Sequence, residues 1–215
     1  RRGTAGEFQS LTTMRLAVFL DRDGVLNEDL GYIHRIEDFR LFAGTGHALR
    51  RLQDAGYLLF LVTNQSGIGR GYFTVEAMHR LHDHLESELG RYGVRLRRIY
   101  FAPEAPDQPS RGRKPSPQFL LDARDEFGVD LSRSYMIGDK LADLECGWNA
   151  GVRRSLLVRT GYGAQVERDA PEKLGRAVVV DDLASAVAWI LNEAPGGSGS
   201  DTAGRMGEGR REDYR

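Results

Sequence analysis

Residues 16–27 read LAVFLDRDGVLN and decide the fold class of this chain. The apolar run Leu16–Leu20 is typical of a strand buried on both faces of a parallel sheet. Asp21 and Asp23 follow where this strand ends. Ionised carboxylates are costly to bury unless they are paired or bind a metal, and Gly24 permits a sharp turn behind them. The stretch therefore predicts a strand that delivers two carboxylates to a metal or phosphate site, rather than a solvated turn.

Short apolar runs alternate with helical patterns through the rest of the chain. This alternation predicts an α/β fold, with a Rossmann-like, mostly parallel sheet, right-handed crossovers and helices on both faces. The predicted strands are Leu16–Leu20, Tyr57–Thr63, Arg98–Ala102, Ser134–Gly138, Ser155–Arg159 and Ala177–Val180. The predicted helices are Gly46–Ala55, Val75–Leu89, Pro117–Phe127, Ala142–Ala150 and Leu183–Leu191.

Polar residues follow several predicted strands at one edge of this sheet. In open parallel sheets, ligands bind beyond the carboxyl ends of the strands. Asp21 and Asp23 end the first strand, residues 63–66 the second and residues 139–140 the fourth. The pair Arg113-Lys114 precedes the helix after the third strand. Carboxylates suit Mg²⁺ and cations suit a phosphoryl group, so this convergence predicts phosphoryl chemistry in which an aspartate attacks phosphorus.

Taken singly, these motifs have structural alternatives. Residues 63–66 can form an ordinary turn, and Arg113-Lys114 can be a surface basic pair. Asp143 lies one helical turn after Asp139, and it fits either a supporting role at a metal site or an acid favoured by the helix dipole. The histidines that cluster on one predicted helix are interpreted as solvated surface rather than as a metal site; they are His79, His82 and His84.

Composition limits the classes of partner. Thirty basic and 31 acidic residues give a net charge of -1, which indicates neither a nucleic-acid nor a membrane partner. No apolar run approaches the roughly 18 residues of a membrane span. The single cysteine, Cys146, is interpreted as a packing residue. Because one cysteine cannot form an intramolecular disulfide, the composition fits a reducing, cytoplasmic location. Without an obvious apolar excess we expect a monomer.

The 215 residues divide into one predicted domain and two terminal segments. Residues 1–13 are expected to be a flexible N-terminal extension, and residues 14–192 to form the catalytic domain. From residue 193 the chain is rich in Gly, Ser and charge, so residues 193–215 are predicted to be a disordered tail.

The motifs together resemble the haloacid-dehalogenase (HAD) superfamily of phosphotransferases, through Asp-x-Asp, Thr-Asn-Gln, Lys and Gly-Asp-x-x-x-Asp. The finer pattern is similar to the D,D-heptose 1,7-bisphosphate 7-phosphatases and to the related histidinol-phosphate phosphatases. The resemblance covers about residues 15–163 and is carried by residues 21–27, 31–32, 62–68, 113–115 and 136–140.

This resemblance implies a role for each matched residue. Asp21 would be the nucleophile and Asp23 the general acid and base, while Thr63 and Lys114 would stabilise the phosphoryl group. Mg²⁺ would be bound by Asp21, Asp23 and Asp139. Substrate contacts would come from Asp29, Leu30, Gly31, Tyr32, Thr63, Asn64, Gln65, Ser66, Arg113, Lys114 and Lys140.

The chain departs from the resembled family at one loop. Many members carry a Cys-x-His and a Cys-x-Cys motif that bind zinc, but the matching residues here are Ala102, Glu104, Ser110 and Gly112. We therefore expect no zinc. The motif spacing also leaves no room for a large cap domain, so the site is expected to be open.

The resemblance implies a cytoplasmic, Mg²⁺-dependent phosphatase that removes the 7-phosphate of D-glycero-D-manno-heptose 1,7-bisphosphate through an aspartyl phosphate. A histidinol-phosphate or other small sugar-phosphate phosphatase is the enzymatic alternative. A non-catalytic phosphosugar-binding protein is the alternative from another class, and the retained Asp21, Asp23, Lys114 and Asp139 argue against it.

Overall fold

Six strands and six α-helices make up the structure, a computed structural model that describes residues 14–193. The strands are β1 (Ala17–Leu20), β2 (Leu58–Asn64), β3 (Arg98–Ala102), β4 (Tyr135–Gly138), β5 (Arg154–Val158) and β6 (Val178–Val180). The helices are α1 (Thr45–Asp54), α2 (Val75–Gly90), α3 (Gln118–Phe127), α4 (Leu141–Ala150), α5 (Gly163–Asp169) and α6 (Leu183–Glu193). The predicted extension 1–13 and all but the first residue of the predicted tail lie outside the described residues.

All six strands form one parallel sheet in the order β3-β2-β1-β4-β5-β6. The order reverses between β1 and β4, whose register pairs Phe19 with Met136 and Leu20 with Ile137. A crevice opens beyond the carboxyl ends of the strands at such a reversal, and ligands bind there in open α/β sheets. Asp21 and Asp139 follow these two strands, so the topology brings both to the crevice.

The side chains of β1 alternate between two hydrophobic cores, one on each face of the sheet. Val18 and Leu20 join a core to which α1, α2 and α6 contribute apolar residues. Ala17 and Phe19 join the opposite core, to which α3 and α4 contribute. Cys146 is buried in this second core, which confirms its interpretation as a packing residue. A strand buried on both faces is uniformly apolar, as Leu16–Leu20 is.

The structure confirms the predicted α/β architecture and every predicted strand and helix to within two residues at each end. The prediction missed α5, whose seven residues GAQVERD contain too few apolar side chains to form a helical stripe.

Loops rather than a second domain cover the carboxyl edge of the sheet within the described residues. Residues 21–44 join β1 to α1 and contain one short 3-10 helix, Ile36–Asp38. Residues 103–117 join β3 to α3. Among the helices of the described part, none combines the length and the apolar character that crossing a membrane requires.

Candidate active site

Three buried carboxylates gather at the reversal of strand order. Asp21 follows β1, Asp139 follows β4, and Asp143 lies in the first turn of α4; each offers an oxygen within 4.8 Å of the others. Gly138 permits this approach, because a Cβ at that position would lie 2.1 Å from the Cβ of Asp143. Within residues 14–193, no other group of three or more Asp, Glu, His or Cys residues is spaced to hold a metal.

Lys114 bridges two members of this cluster. Its Nζ lies 2.8 Å from Oδ1 of Asp21 and 2.6 Å from Oδ1 of Asp143. Burial alone would lower the pKa of Lys114, but the two carboxylates outweigh burial and raise it. Lys114 is therefore a permanent cation at the base of the site. The main chain of Lys114 is held by Asn64, whose Oδ1 accepts from Lys114 N at 2.9 Å and whose Nδ2 donates to Lys114 O at 3.1 Å.

Asp139 is the least compensated of the three carboxylates. Its Oδ2 accepts a hydrogen bond from Tyr162 N at 2.9 Å, whereas its buried Oδ1 has no hydrogen-bond partner among the described residues. Burial, with the negative charge of Asp21 adding to it, raises the pKa of Asp139 to about 8. Two lysines face the three buried acids, Lys114 beside Asp21 and Asp143, and Lys140 at 3.8 Å from Asp139, so excess negative charge remains. A divalent cation with oxygen ligands fits such a donor set.

Asp23 is held by a second group of side chains. Arg22 donates from Nε to Asp23 Oδ1 at 3.0 Å and from Nη2 to Oδ2 at 2.8 Å. Asn27 and Gln65 donate at 2.9 and 3.1 Å. Burial works to raise the pKa of Asp23, but Arg22 and the hydrogen bonds outweigh it, so that the pKa is lowered. The carboxylate thus has donors on both oxygens, and it points towards Arg22 rather than into the group of three acids.

Arg22 is itself fully buried, which nothing in the sequence indicated. It donates to Ile33 O at 3.1 Å, and its Nη1 lies 2.9 Å from Met78 Sδ and 3.5 Å from His82 Nε2.

Burial, reinforced by the charge of Arg22, lowers the pKa of His82 to about 3. The interpretation of the three histidines as solvated surface is wrong for His82, which is buried because it packs behind Arg22.

Two adjoining cavities open above these groups, and Lys140 lines both. The inner cavity, of about 60 Å³, is bordered by Asp21, Asp23, Thr63, Asn64, Lys114, Lys140, Ala142 and Asp143. The outer cavity, of about 280 Å³, is bordered by Asp23, Asp29, Gly31, Tyr32, Asn64, Gln65, Ser66, Lys140 and Tyr162. The small, charged inner cavity suits a phosphoryl group, and the larger outer cavity suits the rest of a small molecule.

The cavities separate the predicted substrate residues into two groups. Most of them line one cavity or the other, but Leu30 and Arg113 line neither. The side chain of Leu30 is exposed, and the guanidinium of Arg113 donates to Glu104 O at 3.1 Å. Tyr162 also lines the outer cavity, although it is not among the predicted site residues. Its only sequence signal is its position after β5, at the same edge of the sheet.

The loop in which this chain lacks the zinc-binding residues of the resembled family is held by polar contacts. Ser110 Oγ donates to Glu104 Oε2 at 2.7 Å and accepts from Arg113 N at 3.1 Å. Gly112 packs against Phe119, since a Cβ there would lie 2.2 Å from the ring. These contacts link the loop to the residue before Lys114.

Known proteins resemble this chain over most of its length. A family model described as HAD-like hydrolase matches residues 112–186. The D-glycero-beta-D-manno-heptose-1,7-bisphosphate 7-phosphatase of Haemophilus ducreyi is 45% identical over 172 residues, which cover 77% of this chain and 94% of that protein. The D-glycero-D-manno-heptose-1,7-bisphosphate 7-phosphatase of Thermosynechococcus vestitus is 41% identical over 189 residues, 82% of this chain and 95% of that protein.

A solved structure is similar over nearly the whole described fold. The D,D-heptose 1,7-bisphosphate phosphatase of B. bronchiseptica, crystallised with magnesium and phosphate, aligns with a TM-score of 0.78 and 32% identity. The alignment covers 84% of this chain and all of that one.

Proposed function

The chain belongs to the HAD-like phosphatase family that includes the D,D-heptose 1,7-bisphosphate 7-phosphatases, and from that premise we propose that it removes the 7-phosphate of D-glycero-D-manno-heptose 1,7-bisphosphate with Mg²⁺. The observation that carries the proposal is the Lys114 bridge between Asp21 and Asp143 at the base of a cavity large enough for one phosphoryl group. The names of the relatives support the choice of substrate.

Magnesium fits the donor set of the site. Asp21 and Asp139 would hold the ion, with Asp143 beside them, and the buried Oδ1 of Asp139 has no hydrogen-bond partner among the described residues and lies 3.8 Å from Lys140 Nζ. Because its side chain is engaged by Arg22, we expect Asp23 to contribute to the metal site through its main chain. When bound, the cation would offset negative charge on the phosphoryl oxygens and on the carboxylates.

Asp21 is the proposed nucleophile. Its Oδ1 forms an ion pair with Lys114 Nζ and accepts a hydrogen bond from Arg22 N, each at 2.8 Å, so we assign Oδ2 as the oxygen that attacks phosphorus. The attack breaks the bond to the sugar oxygen and forms an aspartyl phosphate on Asp21. Lys114 and the hydroxyl of Thr63, which both line the inner cavity, stabilise the charge on the transferring group.

Asp23 is proposed to move the protons of the two half-reactions. A bound phosphate dianion places negative charge beside Asp23 and raises its pKa, so that the acid can protonate the leaving sugar oxygen. After the sugar leaves, the ionised Asp23, which its contacts with Arg22, Asn27 and Gln65 favour, takes a proton from the water that hydrolyses the aspartyl phosphate.

The proposal is tested by kcat/KM with Mg²⁺ for both anomers of the heptose 1,7-bisphosphate, for histidinol phosphate and for common sugar phosphates. We expect one heptose anomer to be preferred by at least about a hundredfold, and EDTA to abolish turnover. Flat, weak rates across the panel would contradict the substrate assignment and leave only the phosphatase chemistry. A preference for histidinol phosphate would favour the alternative enzyme.

The absence of zinc, the monomeric state and the cytoplasmic location stay predictions from the sequence. Metal analysis of the purified protein and sedimentation at several concentrations test the first two.

A further inference from the structure

The loop between β5 and α5 is fixed against the site at three points. Thr160 Oγ1 donates to Gly24 O at 2.6 Å. Gly161 has a φ of +57°, and a Cβ there would lie 2.2 Å from Asp139 Oδ2, so the main chain passes directly over this carboxylate. Tyr162 N then donates to the same oxygen at 2.9 Å. The main chain of Tyr162 is therefore placed relative to Asp139 without any help from its side chain.

The side chain of Tyr162 is therefore available for a role in the cavity that it borders. It is 46% exposed, and it borders the outer cavity together with Tyr32, Asp29 and Lys140. Lys140 Nζ lies 4.7 Å from the centroid of the ring, a cation–π distance, and 3.1 Å from Asp29 Oδ2. Since Lys140 also lines the inner cavity, the ring braces a cation at the boundary between the two cavities.

We propose that Tyr162 is a substrate-binding residue that favours sugar phosphates over other phosphate esters and anhydrides, an inference that rests on the proposed function. The ring offers an apolar face to the C–H groups of a sugar whose phosphate lies in the inner cavity. The ring also holds the ammonium of Lys140 at the boundary between the two cavities, beside the sugar oxygens and the phosphoryl group. Tyrosine suits this position because it combines an apolar face with a polar edge, and its two χ angles cost little entropy to fix.

The experiment compares wild type with Tyr162→Ala and Tyr162→Phe on two substrates. Heptose 1,7-bisphosphate carries a sugar beside its transferable phosphoryl group, whereas acetyl phosphate carries a transferable phosphoryl group without a sugar. For Tyr162→Ala, the ratio of kcat/KM for the bisphosphate to that for acetyl phosphate is expected to fall about tenfold, mainly through KM. Tyr162→Phe retains the aromatic face and is expected to keep the ratio within about twofold of wild type. Tyr92→Ala, at an exposed tyrosine that borders neither cavity, is the matched control.

The outcomes separate this inference from the proposed function. A wild-type enzyme that hydrolyses neither substrate would contradict the proposed function and the inference together. An active wild type whose substrate ratio Tyr162→Ala does not change would contradict the inference alone, as would a parallel loss on both substrates. If Tyr162→Ala lowers the melting temperature, the ratio still decides, because loss of folded enzyme reduces both rates equally.

Discussion

The two cavities that meet at Lys140 are built in opposite ways. The inner cavity is bordered by buried charges that are tied to one another, as Lys114 is tied to Asp21 and Asp143. The outer cavity is bordered by loops and by Tyr32 and Tyr162, each 46% exposed. Altering a buried, paired charge leaves its partner uncompensated, whereas exposed groups can change at little cost in stability. We therefore expect the reaction and the choice of substrate to depend on separable parts of the molecule.

The strongest test of the inner cavity is Asp21→Asn. The amide is similar in size but is a far weaker nucleophile, so we expect kcat to fall by at least about a thousandfold on every phosphate ester. Circular dichroism and a steady-state assay measure the fold and the rate. Asp181→Asn, at an exposed carboxylate paired with Arg159, is the control. Activity within tenfold of wild type would remove Asp21 from the role of nucleophile.

Replacement of Lys114 distinguishes a catalytic cation from a purely structural one. In Lys114→Met, kcat is expected to fall by about a hundredfold, the effect of removing one donor to a transferring group. The buried Asp143 would lose its partner, and the free energy of unfolding should fall by about 3 kcal/mol. Urea titration and an assay at saturating substrate measure the two effects. If the free energy of unfolding falls while kcat stays within threefold of wild type, Lys114 contributes to stability and not to catalysis.

The sequence predicted the sheet and the residues that gather at its strand ends for a single physical reason. A buried parallel strand is a continuous apolar run, and the residues at its carboxyl end meet those of its neighbours, so Asp21, Thr63 and Asp139 could be placed together. The burial of a charged side chain, in contrast, leaves no comparable pattern in the sequence. Arg22 lies between two aspartates and resembles a solvated residue, and only the approach of α2 and of the main chain at Ile33 buries it.

The strand pattern alone predicts less of the outer cavity, because its walls are loops whose direction depends on contacts distant in sequence. Asp29, Gly31 and Tyr32 were predicted only through the family resemblance. Tyr162 enters it because Gly161 crosses Asp139, and Arg113 lies outside it because its guanidinium turns to Glu104 O. Neither contact leaves a periodic signal in the sequence.

Lys140→Ala tests the boundary between the two cavities. The Lys140 side chain is 42% exposed and pairs with Asp29 and, at 3.8 Å, with the buried Asp139, so its removal should lower the free energy of unfolding by about 1 kcal/mol. We expect KM for the sugar bisphosphate to rise about tenfold with a smaller change in kcat, since the ammonium contributes mainly to binding. Lys173→Ala, at an exposed lysine distant in sequence, is the control. If kcat instead falls as much as in the Lys114 variant, Lys140 contributes to phosphoryl transfer and not mainly to substrate binding.

The remaining prediction concerns the layer behind Asp23, and it appears in stability rather than in rate. His82 is buried beside Arg22, and its pKa is lowered from 6.5 to about 3. Between these values the unfolded chain binds a proton that the folded chain does not, so this group makes the protein less stable as pH falls. The loss is up to about 1.4 kcal/mol for each pH unit below 6.5.

His82→Gln retains an acceptor for Arg22 but cannot take up a proton, so its stability should depend less on pH across this interval. Urea unfolding of wild type and variant between pH 7 and 4 measures the difference. His79→Gln, at an exposed histidine of the same helix, should follow wild type. Parallel curves for wild type and His82→Gln would show that His82 takes up a proton as readily in the folded protein as in the unfolded chain. Arg22 would then hold Asp23 beside a second buried cation.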